Sequence, residues 1–193
     1  MKSFFVILSI LIFGCRHQKL SSDSDLNNYI NDEDNGLTKI VNQDGFTLTM
    51  RYKPAQLVAK QQLIRGTKRE YDSLVKYYSK YIYFNLEISK NGKDLETKFG
   101  SDLHSFPDKI SYLSNEFSSG IQLVADADTL ELSDFLYSRS YGVSTSNFML
   151  VFNHPKGQNW QIVVTSEKLG FGTVVFTFTQ SDVENIPEIN TKL

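Results

Sequence analysis

Apolar side chains recur at every second position along several short runs, and this period of two constrains the fold more than any other feature of the chain. In the run from Phe46 to Tyr52, the apolar Phe46, Leu48, Met50 and Tyr52 fall on one face, and Thr47, Thr49 and Arg51 on the other. Successive side chains of a strand point to opposite faces, so a run of this kind is a strand with one side buried. Ile82, Phe84, Leu86 and Ile88 alternate in the same way with Tyr83, Asn85 and Glu87. Val174, Phe176 and Phe178 alternate with Val175, Thr177 and Thr179. Further strand-sized runs cover residues 121–125, 130–138, 147–153 and 160–165, separated by Asp, Asn, Gly and Ser clusters that favour turns. The 14 Phe and 10 Tyr suit a pleated surface, where aromatic rings pack well.

Helical patterns interrupt the strands. After Lys53-Pro54, residues 55–65 read as a helix. Thr67-Lys68-Arg69-Glu70 is a capping-box pattern, in which Thr67 and Glu70 satisfy each other's backbone donors. Tyr71, Leu74, Val75 and Tyr78 follow at i, i+3, i+4 and i+7, the apolar stripe of an amphipathic helix. Ser105-Phe106-Pro107-Asp108 opens a short helix through Phe117, with proline in its first turn. Asn91-Gly92 is the preferred pair for a type I′ hairpin turn and predicts a partner strand over residues 94–99. The expected fold is therefore mainly β with minor α: a β-sandwich of immunoglobulin-like architecture, with two or three short helices inserted. The single domain is expected over residues 44–187, followed by a tail over 188–193. Trp160 is expected in its core.

The first fifteen residues follow a different rule. Lys2 supplies a positive start, and Phe4 to Phe13 is apolar apart from Ser9. This run is far shorter than the roughly 20 residues that span a bilayer, but fits the apolar region of a signal peptide. It stops at Gly14-Cys15, and Cys15 is the one cysteine of the chain. A lone cysteine forms no internal disulfide and no cysteine-based zinc site. The stretch Ile12-Phe13-Gly14-Cys15, with Leu11 before it, resembles the lipobox of bacterial lipoproteins. That resemblance implies a signal peptide over 1–14, cleavage before Cys15 and fatty acylation, palmitate included, at Cys15. It implies a protein held in the cell envelope by lipid, at the outer membrane, with the periplasmic and surface faces both open. RYKP, the stretch around Arg139 to Gly142, and a composition rich in Asn, Lys, Ile, Phe, Tyr and Ser are similar to lipoproteins of the Bacteroidota, which implies no activity.

Residues 15–43 are expected to be a flexible, lipid-anchored tether, because Ser, Asp and Asn dominate and few apolar residues are available to bury. Within it, NDEDNG is similar to a calcium loop, but the twelfth position counted from Asn31 is Asn42, where a calcium loop needs Glu. It reads as a solvated acidic linker.

Catalytic signatures are sparse. His17, His104 and His154 form no H-x-x-x-H or H-x-H pair and are expected in loops; no G-x-S-x-G elbow is present. Gly170-Phe171-Gly172 lacks the third glycine and following helix of a phosphate loop and reads as a turn or bulge. Asp126 and Asp128 read as a hairpin turn, with a cation site or acid pair as the competing reading. Asp134 and Arg139 are either part of a binding surface with Tyr141 or an ordinary surface pair. No catalytic residue, metal or cofactor is expected. Net charge is −2 and no basic block occurs, which argues against nucleic acid as partner.

The tyrosines carry the strongest hint of function. Tyr71 and Tyr78 belong to the helix stripe and are expected in the core. Tyr77, Tyr81 and Tyr83 are expected to be exposed, and with Arg139 and Tyr141 they form the candidate binding surface. Tyrosine gives large contact area at low entropic cost, which suits interfaces. The reading favoured over this one is that these rings cover the seam between helix and sheet. The function expected is a non-catalytic binding or assembly module for a protein or glycan partner. The alternative is an envelope hydrolase whose carboxylates and histidines converge only in three dimensions.

Overall fold

The computed structural model describes residues 22–187, apart from 64, 100–105, 127, 140 and 141. Two antiparallel sheets pack face to face. The first holds β1 (Thr38–Gln43), β2 (Phe46–Lys53), β3 (Tyr81–Lys90), β7 (Ser146–Asn153) and β6 (Asp134–Ser138), in the order β1-β2-β3-β7-β6. The second holds β5 (Asp128–Glu131), β4 (Ile121–Ala125), β8 (Asn159–Ser166) and β9 (Gly172–Thr179), in the order β5-β4-β8-β9. The alternation in the sequence is what makes this possible. Phe46, Leu48 and Met50 of β2, with Ile82, Phe84, Leu86 and Ile88 of β3, line the inner face of the first sheet. Val174, Phe176 and Phe178 of β9 face them from the second. Phe84 joins the two layers, its ring 5.0 Å from Phe178. Trp160 lies in the core as expected, and its indole Nε1 donates to Gly157 O over 3.1 Å.

The helices fall where the patterns put them. Between β2 and β3 run α2 (Ala55–Gln62) and α3 (Lys68–Tyr78). The capping box at Thr67 and Glu70 forms in full. The helix expected to run through Phe117 is split. It begins as α5 (Phe106–Ser111), loosens to a π turn over Tyr112–Glu116 and ends in a 3-10 turn over Phe117–Gly120. That distortion sinks Leu113 and Phe117 into the core.

Three local expectations are corrected. The body begins well before Asp44: α1 (Asp23–Asn31) and β1 are folded parts of it. Leu26, Ile30 and Leu37 cluster with Leu57 of α2, and Thr38 Oγ1 donates to Ile30 O over 2.7 Å. β1 pairs with β2 along its whole length through a two-residue turn at Asp44-Gly45. Both turn residues take left-handed φ values, 52° and 78°, which Asp tolerates and Gly favours. The strand expected after Asn91-Gly92 is a helix, α4 (Leu95–Phe99). The turn forms, but pairing ends at Lys90 and Lys93. Asp94 then accepts from Thr97 N at 2.7 Å, and Leu95 buries fully while its N–H donates to Ser146 Oγ. The run expected as one strand over 130–138 is two: β5 belongs to one sheet and β6 to the other, and the chain crosses between them at Leu132 and Ser133.

α6 (Gln180–Glu184) closes the chain with a second capping box, between Thr179 and Asp182. Val183 and Ile186 pack on the α1 cluster. Among the described residues, no helix is long and apolar enough to cross a membrane.

Candidate functional site

The outer face of the first sheet carries the site. Register aligns Lys53, Tyr83, Val151 and Asp134 in one row across β2, β3, β7 and β6. Asn85, Met149 and Leu136 form the next row. Helices α2 and α3 cover part of this face, with Val58 packed against Tyr83 and Val151 beside Tyr78, Tyr81 and Met149. The α2–α3 pair is itself tied by Tyr71, whose hydroxyl donates to Gln56 O. Where the helices stop, a cavity of about 410 Å³ remains. Its floor is Tyr83, Val151, Met149 and Asp134, and its walls are Tyr77, Tyr78, Tyr81 and Gln62.

Four tyrosines that lie close in sequence thus line one space, three on its walls and Tyr83 on its floor. Tyr77 and Tyr78 meet edge to face, with centroids 5.2 Å apart and planes at 80°. Tyr78 and Tyr83 do the same at 5.9 Å and 76°. Tyr77 is 56 % exposed and forms the open rim. The expectation of an exposed Tyr83 is corrected: it is buried, because α2 and α3 fold down over β3 at this point. The half-buried Tyr78 faces the cavity as well as the seam. Tyr78, Tyr81 and Tyr83 thus cover the seam and line the cavity at once.

Burial, followed by the neighbouring phenols of Tyr78, Tyr77 and Tyr81 and the Asp134 carboxylate, pushes the Tyr83 hydroxyl up to about 12. Burial does the same to Tyr52, also to about 12. Both groups favour the neutral phenol in the folded state. Their contribution to stability is complete below the ordinary tyrosine value near 10 and is lost as pH rises from there toward 12. Tyr52 should cost up to about 1.4 kcal/mol per pH unit in that window, and Tyr83, whose hydroxyl opens on the cavity, less. The urea midpoint should therefore fall steadily between about pH 10 and 12, and Tyr52→Phe should make the fall shallower. A midpoint that stays level through this window would contradict both burials.

Arg139 does not belong to the cavity. At the opposite end of β6 from Asp134, its Nη2 is 3.0 Å from Glu96 Oε2, and its guanidinium lies 5.6 Å over the Phe106 ring. Glu96 also accepts from the Tyr137 hydroxyl, and burial and this bond hold that phenol well above the usual tyrosine range. The surface pair considered for Arg139 with Asp134 is replaced by this cluster. Cys15 and Tyr141, like His17 and His104, lie outside the described residues. His154 sits in the exposed loop between β7 and β8, and Asp126 in the β4–β5 hairpin turn at φ 51°. Gly170 and Gly172 flank the buried Phe171 with φ of 89° and 67°, the turn expected there.

Sequence reasoning missed Asp134, Met149 and Val151 as partners of the tyrosines. Only the β3–β7–β6 pairing brings them within reach. A second, polar cavity of about 350 Å³ lies between Gln158, Asn159 and the Thr179–Glu184 segment. Among the described residues, no group of three or more His, Cys, Asp or Glu side chains is placed to hold a metal ion. No protein-family model matches this chain, and no curated protein or solved structure matches it significantly.

Proposed function

We propose that this chain is a lipid-anchored protein of the bacterial cell envelope, whose β-sandwich serves as a non-catalytic binding module for a protein or glycan partner. The anchor rests on the lipobox-like Ile12-Phe13-Gly14-Cys15 after a short apolar run. Acylation by two or more chains would hold the protein stably at the outer membrane, where one chain is marginal. One observation carries the binding reading: four tyrosines and Asp134 line a single cavity outside the core. Tyrosine rings bring an apolar face and a polar tip to such a space, and so suit recognition. Asp134 is the one carboxylate in that lining among the described residues. Glycoside hydrolysis generally takes a pair of carboxylates, so at this cavity the binding reading is favoured over glycoside hydrolysis.

Two experiments test the parts separately. Cys15→Ala should abolish metabolic labelling by fatty acid and release the protein from the membrane fraction; continued labelling would contradict the anchor. For the binding site, a Tyr77→Ala/Tyr81→Ala double variant should lose the partner or glycan that the unaltered protein retains in crosslinked native membranes or on a glycan array. Undiminished retention would exclude this cavity.

A further inference from the structure

We propose that the tyrosine cavity is an aromatic cage for an organic ammonium group, either a quaternary ammonium or the side-chain ammonium of lysine. This rests on the binding reading above and names the chemistry of its ligand. Three features carry it. The first is the angle between the walls. Tyr77, Tyr78 and Tyr83 meet edge to face in succession at 80° and 76°, so they do not share one flat platform. A sugar ring stacks on one exposed flat face, whereas a compact cation gains from several ring surfaces at once, because the negative face of each ring attracts it.

The second feature is charge. Asp134 lies on the floor, in the row that runs from Lys53 through Tyr83, and among the described residues the lining contains no Lys or Arg. A carboxylate beside aromatic walls complements the charge of an ammonium entering this half-open space. The third is room, since Lys80, whose Nζ lies 5.7 Å from the Tyr77 centroid, stands outside the lining. The cavity, at about 410 Å³, has room for an ammonium head and the chain that bears it. Leu136, 52 % exposed beside Met149 and two residues from Asp134, offers apolar surface for that chain.

The test titrates the full chain, kept in an uncharged detergent without sugar, with four probes. These are choline, its neutral isostere with carbon in place of nitrogen, N-acetyl-lysine amide and N-acetyl-norleucine amide. Binding is read from the resonances of carbon-labelled tyrosine rings. Each cation should bind about tenfold more tightly than its neutral counterpart. Asp134→Asn should weaken the cations about fivefold, and Tyr77→Ala about tenfold, with the neutral probes little changed. Both residues are exposed, and unchanged thermal unfolding of each variant confirms that the fold is retained. A preference for choline points to a free quaternary ammonium as the natural ligand, and a preference for the lysine amide to a side chain presented by a protein. Equal binding of cations and neutral isosteres, or no tyrosine shift with either cation into the millimolar range, would overturn the proposal. If a glycan binds in a Tyr77-dependent way while both cations fail, the ammonium cage falls and the binding site stands. If neither class depends on Tyr77, both fall.

Discussion

Phe84→Ala should destabilise the protein by about 4 kcal/mol, the middle of the range for emptying an aromatic site in a core. Phe84 is fully buried, and its ring touches Phe178 at 5.0 Å, Tyr52 at 5.5 Å and Phe152 at 6.4 Å. Tyr52 and Phe152 belong to its own sheet, and Phe178 to the other. Truncation therefore removes the ring that joins the layers, and surroundings set by two sheets cannot close on the gap. For a domain of this size the melting temperature should drop by roughly 10 °C. Phe84→Leu, which keeps much of the volume, should cost distinctly less. A loss below about 1 kcal/mol for the alanine variant would mean that the sheets do not pack through this residue.

The second large effect concerns the segment before Asp44. Leu26→Ala should cost about 3 kcal/mol, whereas Asn28→Ala, on the exposed side of α1, should cost less than about 0.5 kcal/mol. Leu26 is completely buried in the cluster with Ile30, Leu37 and Leu57. A chain that starts at Asp44 should fare worse. It loses that cluster and leaves all of β2 as an open edge, whose unpaired N–H and C=O groups invite other chains to pair. It should aggregate or fail to fold. A silent Leu26→Ala, or a soluble folded chain from Asp44, would restore the flexible tether and remove α1 and β1 from the body.

Those two sites also show what a single sequence can and cannot convey. β2, β3 and β9 were legible because one face of each meets the core, so burial writes a period of two into the residues. β1 is an edge strand whose inner face carries Lys39, Val41 and Gln43, of which Val41 packs on the core, and its outer face carries the 41 % exposed Ile40. No apolar alternation survives there. The available signal was Asp44-Gly45 between two β-branched stretches, a hairpin pair met first as the start of a strand. α1 hid behind its composition. Leu26, Tyr29 and Ile30 form a stripe one turn long in a background of Asp and Asn, and the helix is held by Ser22 capping Asp25 N and by docking on α2. At Asn91-Gly92 the turn residues specified the turn but not its sequel, because capping by Asp94 and burial of Leu95 won over pairing.

The site followed the same division. The cluster of Tyr77, Tyr78, Tyr81 and Tyr83 was visible as an excess of rings on one helix end and one strand start. Which of them face one another, and which carboxylate faces them, is decided by registers such as Tyr83↔Val151 and Val151↔Asp134, which join residues far apart in the chain. Arg139 was drawn into the candidate surface by its place near Tyr141, but Glu96 of α4 claims it. No local pattern announces a partner that far away.

A ligand or partner of the tyrosine cavity must meet the outer face of the first sheet. Site-specific photocrosslinking in intact cells tests it most directly. The crosslinker benzoylphenylalanine is placed at Gln62, on the cavity wall, and separately at Val175, exposed on the outer side of the second sheet. The account predicts a discrete adduct from position 62, abolished by Tyr77→Ala, and none from position 175. A discrete adduct from position 175 with none from position 62 would contradict it.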